Sequence, residues 1–202
     1  MAADERADLR SYYEAEARAD LRPYTRSTRH DLQQRFVDRV IASGATSVLD
    51  IGAGPGRDRA MFAEAGIAHI GCDLAMGNAR LAAAAGSTVI PADVHALPFR
   101  PKHFGAGWCM SVLMHFDAGP AEHAFAELVA CLRHGAPLCV ALWGADQPIM
   151  YVDQKKIPGE RRPFYHRDVD TNRRMFERHA SVDDVEVFLP DAGQYQVFHL
   201  RA

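Results

Sequence analysis

Three glycines at alternate positions, Gly52, Gly54 and Gly56, form the segment of the chain best suited to hold a ligand. Glycine adopts positive φ angles without strain and lets a bound molecule approach the backbone closely. Asp50 lies two positions before the first of these glycines. A carboxylate beside an accessible backbone can accept hydrogen bonds from hydroxyl or ammonium groups. The spacing therefore predicts a small-molecule site at residues 50–56.

Two other kinds of glycine-rich site fit this spacing less well. Dinucleotide-binding loops follow GxGxxG, in which the third glycine packs the helix against the strand, whereas Arg57 occupies that position here. An NAD-dependent oxidoreductase is therefore a disfavoured alternative. The phosphate-binding pattern GxxxxGK[ST] does not occur in the sequence, which excludes a P-loop.

Strands and helices alternate around the glycine-rich loop. Short apolar runs predict strands at 46–51, 67–74, 87–92, 104–112 and 136–143. Helical spacing and helix-ending glycines predict helices at about 28–43, 56–65, 75–85, 121–133 and 167–179, after a helical N-terminal extension at 4–22. Two last strands, 182–189 and 195–201, flank a turn at 190–193. This order predicts an α/β fold with a doubly wound, Rossmann-like, seven-stranded sheet that is mostly parallel and has a C-terminal antiparallel hairpin.

The 202 residues fit a single domain. Within it we predict an N-terminal helical lid (1–43), a cofactor-binding core (44–143), an insertion that caps the substrate (144–166), and a final helix and hairpin (167–202). The insertion interrupts the strand–helix rhythm with prolines, charges and aromatic residues, and is predicted as a long loop. Loops of this length are usually functional or mobile.

Residues 48–56, VLDIGAGPG, resemble the first motif of the class I S-adenosylmethionine-dependent methyltransferases. Asp73, at the end of the second predicted strand, and Asp93, just beyond the third, are similar to the second and third motifs of that family. The resemblance covers about residues 36–143. It implies a small-molecule methyltransferase that binds S-adenosylmethionine and releases S-adenosylhomocysteine.

The resemblance also implies which residues hold the cofactor. Asp73 would accept both ribose hydroxyls through charge-assisted bonds, Asp93 would accept the exocyclic amine of adenine, and Asp50 would face the methionine tail. An alternative for Asp73 and Asp93 is that each caps the helix that follows it. The complete set of implied cofactor-binding residues is Asp50, Gly52, Ala53, Gly54, Gly56, Asp73, Leu74, Asp93, Val94 and Met110.

Two histidines are candidates for a general base, which an acceptor atom of high pKa would need. His115 follows the fourth strand, where small-molecule relatives often carry a histidine, and His166 ends the insertion. The simpler alternative for His115 is a hydrogen bond to a loop backbone, and for His166 a place on the surface. Relatives often read Leu-Arg-Pro-Gly-Gly before the fifth strand, where this chain reads LRHGA at residues 132–136.

The N-terminal tyrosines Tyr12, Tyr13 and Tyr24 are candidates for a lid over the cofactor. Their alternative role is packing of the first helix on the domain. Arg57, at the start of the helix after the glycines, is a candidate partner for a carboxylate of the cofactor or the substrate. Its alternative role is that of a helix-surface charge.

Composition favours a small-molecule acceptor over nucleic acid. The formal net charge is −3, so the chain has no basic excess to neutralise a phosphate backbone. The basic pairs at 155–156, 161–162 and 173–174 are predicted to be solvated surface. The Asn/Asp-Pro-Pro-Tyr signature of base-modifying relatives does not follow the fourth strand. A cofactor-binding protein without transferase activity and a protein methyltransferase remain alternatives.

The four cysteines occur without a CxxC pair and mostly in apolar runs. They are predicted to be reduced core residues of a cytoplasmic protein without a metal site. The first residues are charged, and no apolar run approaches the length of a membrane span. Neither a secretory signal nor a membrane anchor is therefore expected, and the oligomeric state stays open.

Overall fold

The computed structural model describes residues 3–19, 29–189 and 193–202. Five apolar segments of these ranges form parallel strands, namely β1 (Ser47–Ile51), β2 (Ala68–Asp73), β3 (Val89–Pro91), β4 (Ala106–Met110) and β5 (Pro137–Gly144). The antiparallel pair β8 (Ser181–Phe188) and β9 (Gln194–Arg201) joins them through β9 and β5. The sheet order is β3-β2-β1-β4-β5-β9-β8, which confirms the predicted mixed, seven-stranded sheet.

Helices cover both faces of this sheet, and its central strands are therefore buried on both sides. The helices are α1 (Ala3–Arg18), α2 (Arg29–Ala42), α3 (Arg59–Glu64), α4 (Met76–Ala84), α5 (Ala118–Cys131) and α6 (Val169–Glu177). Val48 of β1 packs with the apolar residues of α2 and α3, whereas its neighbour Leu49 packs with those of α5 and α6. Side chains that alternate along a strand thus supply two separate cores.

Helix starts differ from the sequence predictions for local reasons. α3 begins at Arg59 rather than near residue 56, because Gly56 has a φ of +74°, which an α-helix does not allow. α5 begins at Ala118, three residues early, because the carboxylate of Asp117 accepts a hydrogen bond from the Ala118 amide. Pro120 then lies in the first helical turn, where proline is tolerated.

The prediction of an irregular loop at 144–166 is wrong. Strands β6 (Ile149–Asp153) and β7 (Arg162–His166) pair antiparallel and form a second, two-stranded sheet. Pro158 and Gly159 lie in the connection between them, and Pro163 lies on β7, which has no third strand beside it. Proline is acceptable in such a strand because its missing N–H faces no further partner.

Four predictions lie wholly or partly outside the described residues: Tyr24, the end of the N-terminal extension (20–22), the first residue of the helix at 28–43, and the turn at 190–193 except for Gly193. Within residues 3–19, 29–189 and 193–202, no helix is both long enough and apolar enough to cross a membrane.

Candidate active site

A cavity of about 460 Å³ opens at the carboxyl ends of β1, β2 and β4. The chain order reverses here, because β2 and β3 lie on one side of β1 while β4 and β5 lie on the other. Open α/β sheets bind ligands at such a switch point, and the volume is typical of small-ligand pockets. α1 and the β6–β7 hairpin line the opposite wall through Arg6, Leu9, Tyr13, Lys156, Arg162 and Phe164.

The glycine-rich loop turns sharply at the base of this cavity. Gly52, Gly54 and Gly56 have φ angles of +68°, +56° and +74°, a region that non-glycine residues adopt only with strain. A Cβ atom on Gly52 would lie 2.3 Å from Val112 Cγ2, and one on Gly56 would lie 2.4 Å from Ser87 Oγ. Gly52 lines the cavity, whereas Gly54 and Gly56 are buried behind it.

Asp73 ends β2 and is held at the cavity wall by protein donors. Its Oδ2 accepts from the Gly54 amide at 2.9 Å, and its Oδ1 accepts from the Ala75 amide at 2.9 Å and from Asn78 Nδ2 at 3.0 Å. The bond to Ala75 orients the residue that precedes α4, but Asp73 is not the N-cap of that helix, which is Ala75. Within the described residues 29–189, no helix lies between Asp93 and β4, so the capping alternative is wrong for both residues. The three bonds to Asp73 fix its carboxylate at the edge of the glycine-rich loop.

Asp93 lies beyond β3 between His95 and Arg6. Its Oδ1 accepts from both the backbone amide and Nδ1 of His95, and its Oδ2 forms an ion pair with Arg6 at 3.3 Å. The hydrogen bond from the His95 side chain is the main reason why the pKa of Asp93 falls to about 2. His95 Nε2 lies 3.1 Å from the Pro120 carbonyl oxygen, which fixes the orientation of the ring beside Asp93.

Asp50 is buried at the end of β1 beside His69, a neighbour that the sequence did not reveal. His69 Nε2 lies 3.0 Å from Asp50 Oδ2, and both side chains are almost fully buried. A carboxylate only accepts, so Nε2 is the protonated nitrogen of His69. The imidazole thereby supplies a donor to a carboxylate that would otherwise be costly to bury.

His115 forms a hydrogen-bonded pair with Tyr13 across the cavity. His115 Nδ1 lies 2.8 Å from the Pro163 carbonyl oxygen, and Nε2 lies 2.7 Å from the Tyr13 hydroxyl. Because a carbonyl oxygen only accepts, Nδ1 carries the proton, and Nε2 of the neutral ring accepts from Tyr13. The backbone contact expected for His115 is present, and it sets the tautomer that can take a proton from the Tyr13 side.

α1 is fastened over the cavity by contacts to separate elements. Both carboxylate oxygens of Glu14 accept from the Gly77 amide in the first turn of α4 at 3.1 Å. The dipole of α4 also stabilises a negative charge at this end of the helix. The buried Glu16 pairs with Lys156 at 2.7 Å. The Tyr13 bond to His115 adds a third attachment. α2, by contrast, packs against one face of the sheet.

Replacing Gly77 by alanine is expected to loosen α1, although alanine normally stabilises a helix by about 1 kcal/mol relative to glycine. The new Cβ would lie 2.8 Å from Glu14 Oε2 and 3.0 Å from Ala17 Cβ. Hydrogen exchange of the α1 amides should therefore become faster. Gly119 occupies the same position of α5 with open space around it, so Gly119→Ala is the matched control. Equal protection of α1 in both variants would contradict the proposed role of Glu14.

Two residues of the basic pairs face the cavity. The prediction of a solvated surface is wrong for Arg162, whose side chain is mostly buried, whereas Lys156 stays exposed as predicted. Arg162 and Lys156 line the cavity, whereas Arg161 forms an exposed ion pair with Asp8. Arg162 is the first residue of β7 and Arg161 lies just before that strand, and the two side chains take different directions. Because β7 was not predicted, the sequence did not show which of the two arginines turns inward.

Most residues predicted from the sequence do line one cavity. Of the implied cofactor residues, all but Gly54 and Gly56 line it, together with the predicted Tyr13, Arg57 and His115. Tyr12 is buried behind the wall, with its ring 4.5 Å from the Arg162 guanidinium carbon. His166 is not among the lining residues and packs against the rings of Tyr151 and Phe164. Residues missed by sequence reasoning are Arg6, Asp58, Trp143, Lys156, Arg162 and Phe164.

The described ranges contain no group of three or more His, Cys, Asp and Glu side chains arranged to hold a metal ion. All four cysteines of the chain are buried, and none of them forms a disulfide. Burial raises the pKa of the Cys72 and Cys109 thiols above their ordinary value, so these thiols stay protonated at neutral pH.

The sheet order, the glycine-rich loop and the cavity at the switch point define an α/β domain of the Rossmann-like class. Residues 49–140 match the family model described as the methyltransferase domain. The matched segment contains the glycine-rich loop and the acidic residues Asp50, Asp73 and Asp93.

Several solved structures share the fold at low sequence identity. The 1,6-didemethyltoxoflavin-N1-methyltransferase of Burkholderia thailandensis, with 1,6-didemethyltoxoflavin and S-adenosylhomocysteine bound, has a TM-score of 0.77 and 22% identity over 100% of this chain and 91% of its own. The magnesium protoporphyrin IX methyltransferase of Synechocystis PCC 6803, with S-adenosylmethionine bound, has a TM-score of 0.71 and 16% identity over 100% and 99% of the two chains. The [4+2]-cyclase SpnF has a TM-score of 0.69 and 16% identity over 96% and 93%. Among curated protein sequences, no significant match was found.

Proposed function

We propose that the protein transfers the methyl group of S-adenosylmethionine to an oxygen, nitrogen or carbon atom of a small molecule. One observation carries the proposal: a single cavity joins Asp50, Asp73 and Asp93 on its sheet side to the Tyr13–His115 pair on its outer side. The first wall suits the cofactor and the second suits the acceptor. The small-molecule substrates named for two of the similar structures support the same class of acceptor.

The sheet-side wall fits the cofactor. Gly52 lines the cavity without a side chain, so the backbone there can lie against a ligand. We assign the ribose hydroxyls to Asp73, the adenine amine to Asp93, and the methionine tail to Asp50 and the backbone of Gly52. Ala53, Leu74, Val94 and Met110 complete this wall, and Gly54 and Gly56 contribute only their backbone conformation. When bound, S-adenosylmethionine supplies an electrophilic methyl group on a sulfonium centre.

The Tyr13–His115 pair provides a route for the proton of a hydroxyl acceptor. The Tyr13 oxygen can take the proton of the acceptor while its own proton passes to His115 Nε2. The bond from Nδ1 to the Pro163 carbonyl then holds the resulting imidazolium. We therefore assign the role of general base to His115, acting through Tyr13, and give no catalytic role to His166.

Tyr13→Phe is expected to lower kcat about 100-fold or more, which is the usual contribution of a general base, with the affinity for S-adenosylhomocysteine within about twofold of wild type. Wild-type activity should fall at low pH, because protonated His115 cannot accept the proton of Tyr13. This fall should be absent in the variant. His134→Gln, at an exposed position of the chain, is the control. A Tyr13→Phe enzyme with wild-type kcat and the same pH profile would refute the relay.

The proposed activity is tested in two steps. Calorimetric titration with S-adenosylmethionine, S-adenosylhomocysteine and NAD should show binding of the first two only. Protein incubated with a cell extract and methyl-labelled cofactor should then transfer label to a species of low molecular mass. Label on a protein would favour a protein methyltransferase, and binding without any labelled product would favour a cofactor-binding protein without transferase activity.

The remaining proposals concern the lid and cap of the cavity, the cellular compartment of the protein and the class of its methyl acceptor. We propose that α1 and the β6–β7 hairpin act as the lid and cap of the cofactor-binding core, in line with their contacts across the cavity. Four buried cysteines that form no disulfide suit the reducing cytoplasm, and the negative net charge argues against a nucleic-acid acceptor.

A further inference from the structure

The two walls of the cavity differ in charge. The core contributes four carboxylates, Asp50, Asp58, Asp73 and Asp93, together with Arg57, whereas the β6–β7 hairpin contributes two cations, Lys156 and Arg162, and no carboxylate. The cationic groups of the cofactor suit the acidic wall. The basic wall lies where the methyl acceptor would enter, beside Tyr13.

Arg162 is the more firmly positioned of the two cations. Its guanidinium carbon lies 4.5 Å from the centroid of the Tyr12 ring and 4.8 Å from that of Phe164, and Nη2 donates to Asp153 at 2.7 Å. Burial alone lowers the pKa of Arg162, but Tyr13, Asp153 and Tyr12 outweigh it and raise that pKa overall. The group therefore keeps its charge although its side chain is only 16% exposed.

One donor of this guanidinium stays unused by the described residues. Arg162 Nε is buried and has no hydrogen-bond partner in the described part of the chain. A buried donor without an acceptor is unfavourable, and a carboxylate or enolate oxygen is the acceptor that arginine binds best. Around it the cavity is lined by aromatic rings, those of Tyr13, Phe116, Trp143 and Phe164, which stack well on a flat ring.

We propose that the methyl acceptor is an aromatic anion, whose carboxylate or enolate group binds Arg162 while its ring lies between the aromatic side chains and its nucleophile reaches Tyr13. The inference rests on the proposed methyl transfer, because it names the substrate class of that same cavity. Lys156 contributes a second, more exposed positive charge, which Glu16 holds at the rim.

The test compares two probes of nearly equal shape and different charge, 3-hydroxybenzoate and 3-hydroxybenzamide, by calorimetry on protein saturated with S-adenosylhomocysteine. A charge-assisted hydrogen bond should make the benzoate bind about tenfold more tightly than the amide. Arg162→Gln should abolish this preference and leave the affinity for the amide within about twofold. Arg161→Gln, which removes the same charge from the residue just before β7, should keep this preference.

Each outcome bears on one proposal only. No binding of S-adenosylhomocysteine itself would overturn the proposed function before any probe is added. With that binding intact, equal affinities for the two probes would overturn the anionic acceptor, as would a preference that survives Arg162→Gln or disappears equally in Arg161→Gln. If Arg162→Gln does not fold, Arg162→Lys decides, since it keeps the charge without the planar donor pair and should lower the preference at least threefold.

Discussion

Asp73→Asn is expected to weaken S-adenosylhomocysteine binding about 10- to 100-fold, the equivalent of one or two charge-assisted hydrogen bonds. The amide nitrogen that replaces one carboxylate oxygen cannot accept from a ribose hydroxyl. It would also face one of three donors already present, the amides of Gly54 and Ala75 or the Asn78 side chain. The free energy of unfolding should therefore fall by about 1–3 kcal/mol as well. Calorimetry and chemical denaturation measure the two effects separately.

Asp168→Asn is the matched control for this variant. Asp168 caps α6 by accepting from the Thr171 amide and hydroxyl and does not line the cavity. Its replacement should lower stability by about 1 kcal/mol or less and leave the ligand affinity unchanged. Wild-type affinity in Asp73→Asn, or an equal loss of affinity in Asp168→Asn, would show that Asp73 does not contact the cofactor.

Gly52→Ala is expected to lower the free energy of unfolding by about 3 kcal/mol and to abolish measurable cofactor binding. A φ of +68° costs a residue with a Cβ about 1–2 kcal/mol. The overlap at 2.3 Å with Val112 Cγ2 adds the cost of moving a partly buried side chain. Both costs distort the glycine-rich loop at the base of the cavity, where we propose that the cofactor binds.

Two further variants separate the backbone strain of the positive φ from the steric overlap with Val112. Gly44 has nearly the same φ, +72°, and open space around it, so Gly44→Ala should show the strain alone. The double variant Gly52→Ala/Val112→Ala should recover about 1 kcal/mol relative to the sum of the single variants, because the overlap is gone while the strain remains. Strict additivity of the two substitutions would mean that Val112 does not confine the loop.

The strands of the sheet were predictable because each is a short apolar run between turn residues. β1 to β5 were found with shifts of one or two residues at most ends. The acidic residues at the strand ends could be placed as well, since the carboxyl ends of parallel strands meet at one edge. Most residues of the sheet-side wall of the cavity were therefore predicted from the sequence.

The residues of the outer wall of the cavity were harder to predict from the sequence. Pro158, Gly159 and neighbouring charges concealed the β6–β7 hairpin, although β6 contains a short apolar run; its partner β7 mixes charged residues and a proline with aromatic ones. Without that hairpin, Arg162 could not be distinguished from Arg161. Tyr13 and His115 are 102 positions apart, and nothing local to either residue shows that they meet. Such contacts are set by the tertiary fold.

The attachment of α1 has a consequence for the order in which the protein folds. Its partners Tyr165, Lys156 and His115 lie 160, 140 and 102 positions further along the chain, whereas β1 and β2 meet across about twenty residues. Long-range contacts pay a larger loop-closure entropy and form late. Residues 3–18 therefore leave the ribosome early and can contact α4 through Glu14, but their docking is complete only after β7 has been made. A nascent chain thus acquires the sheet-side wall of the cavity well before it acquires the outer wall.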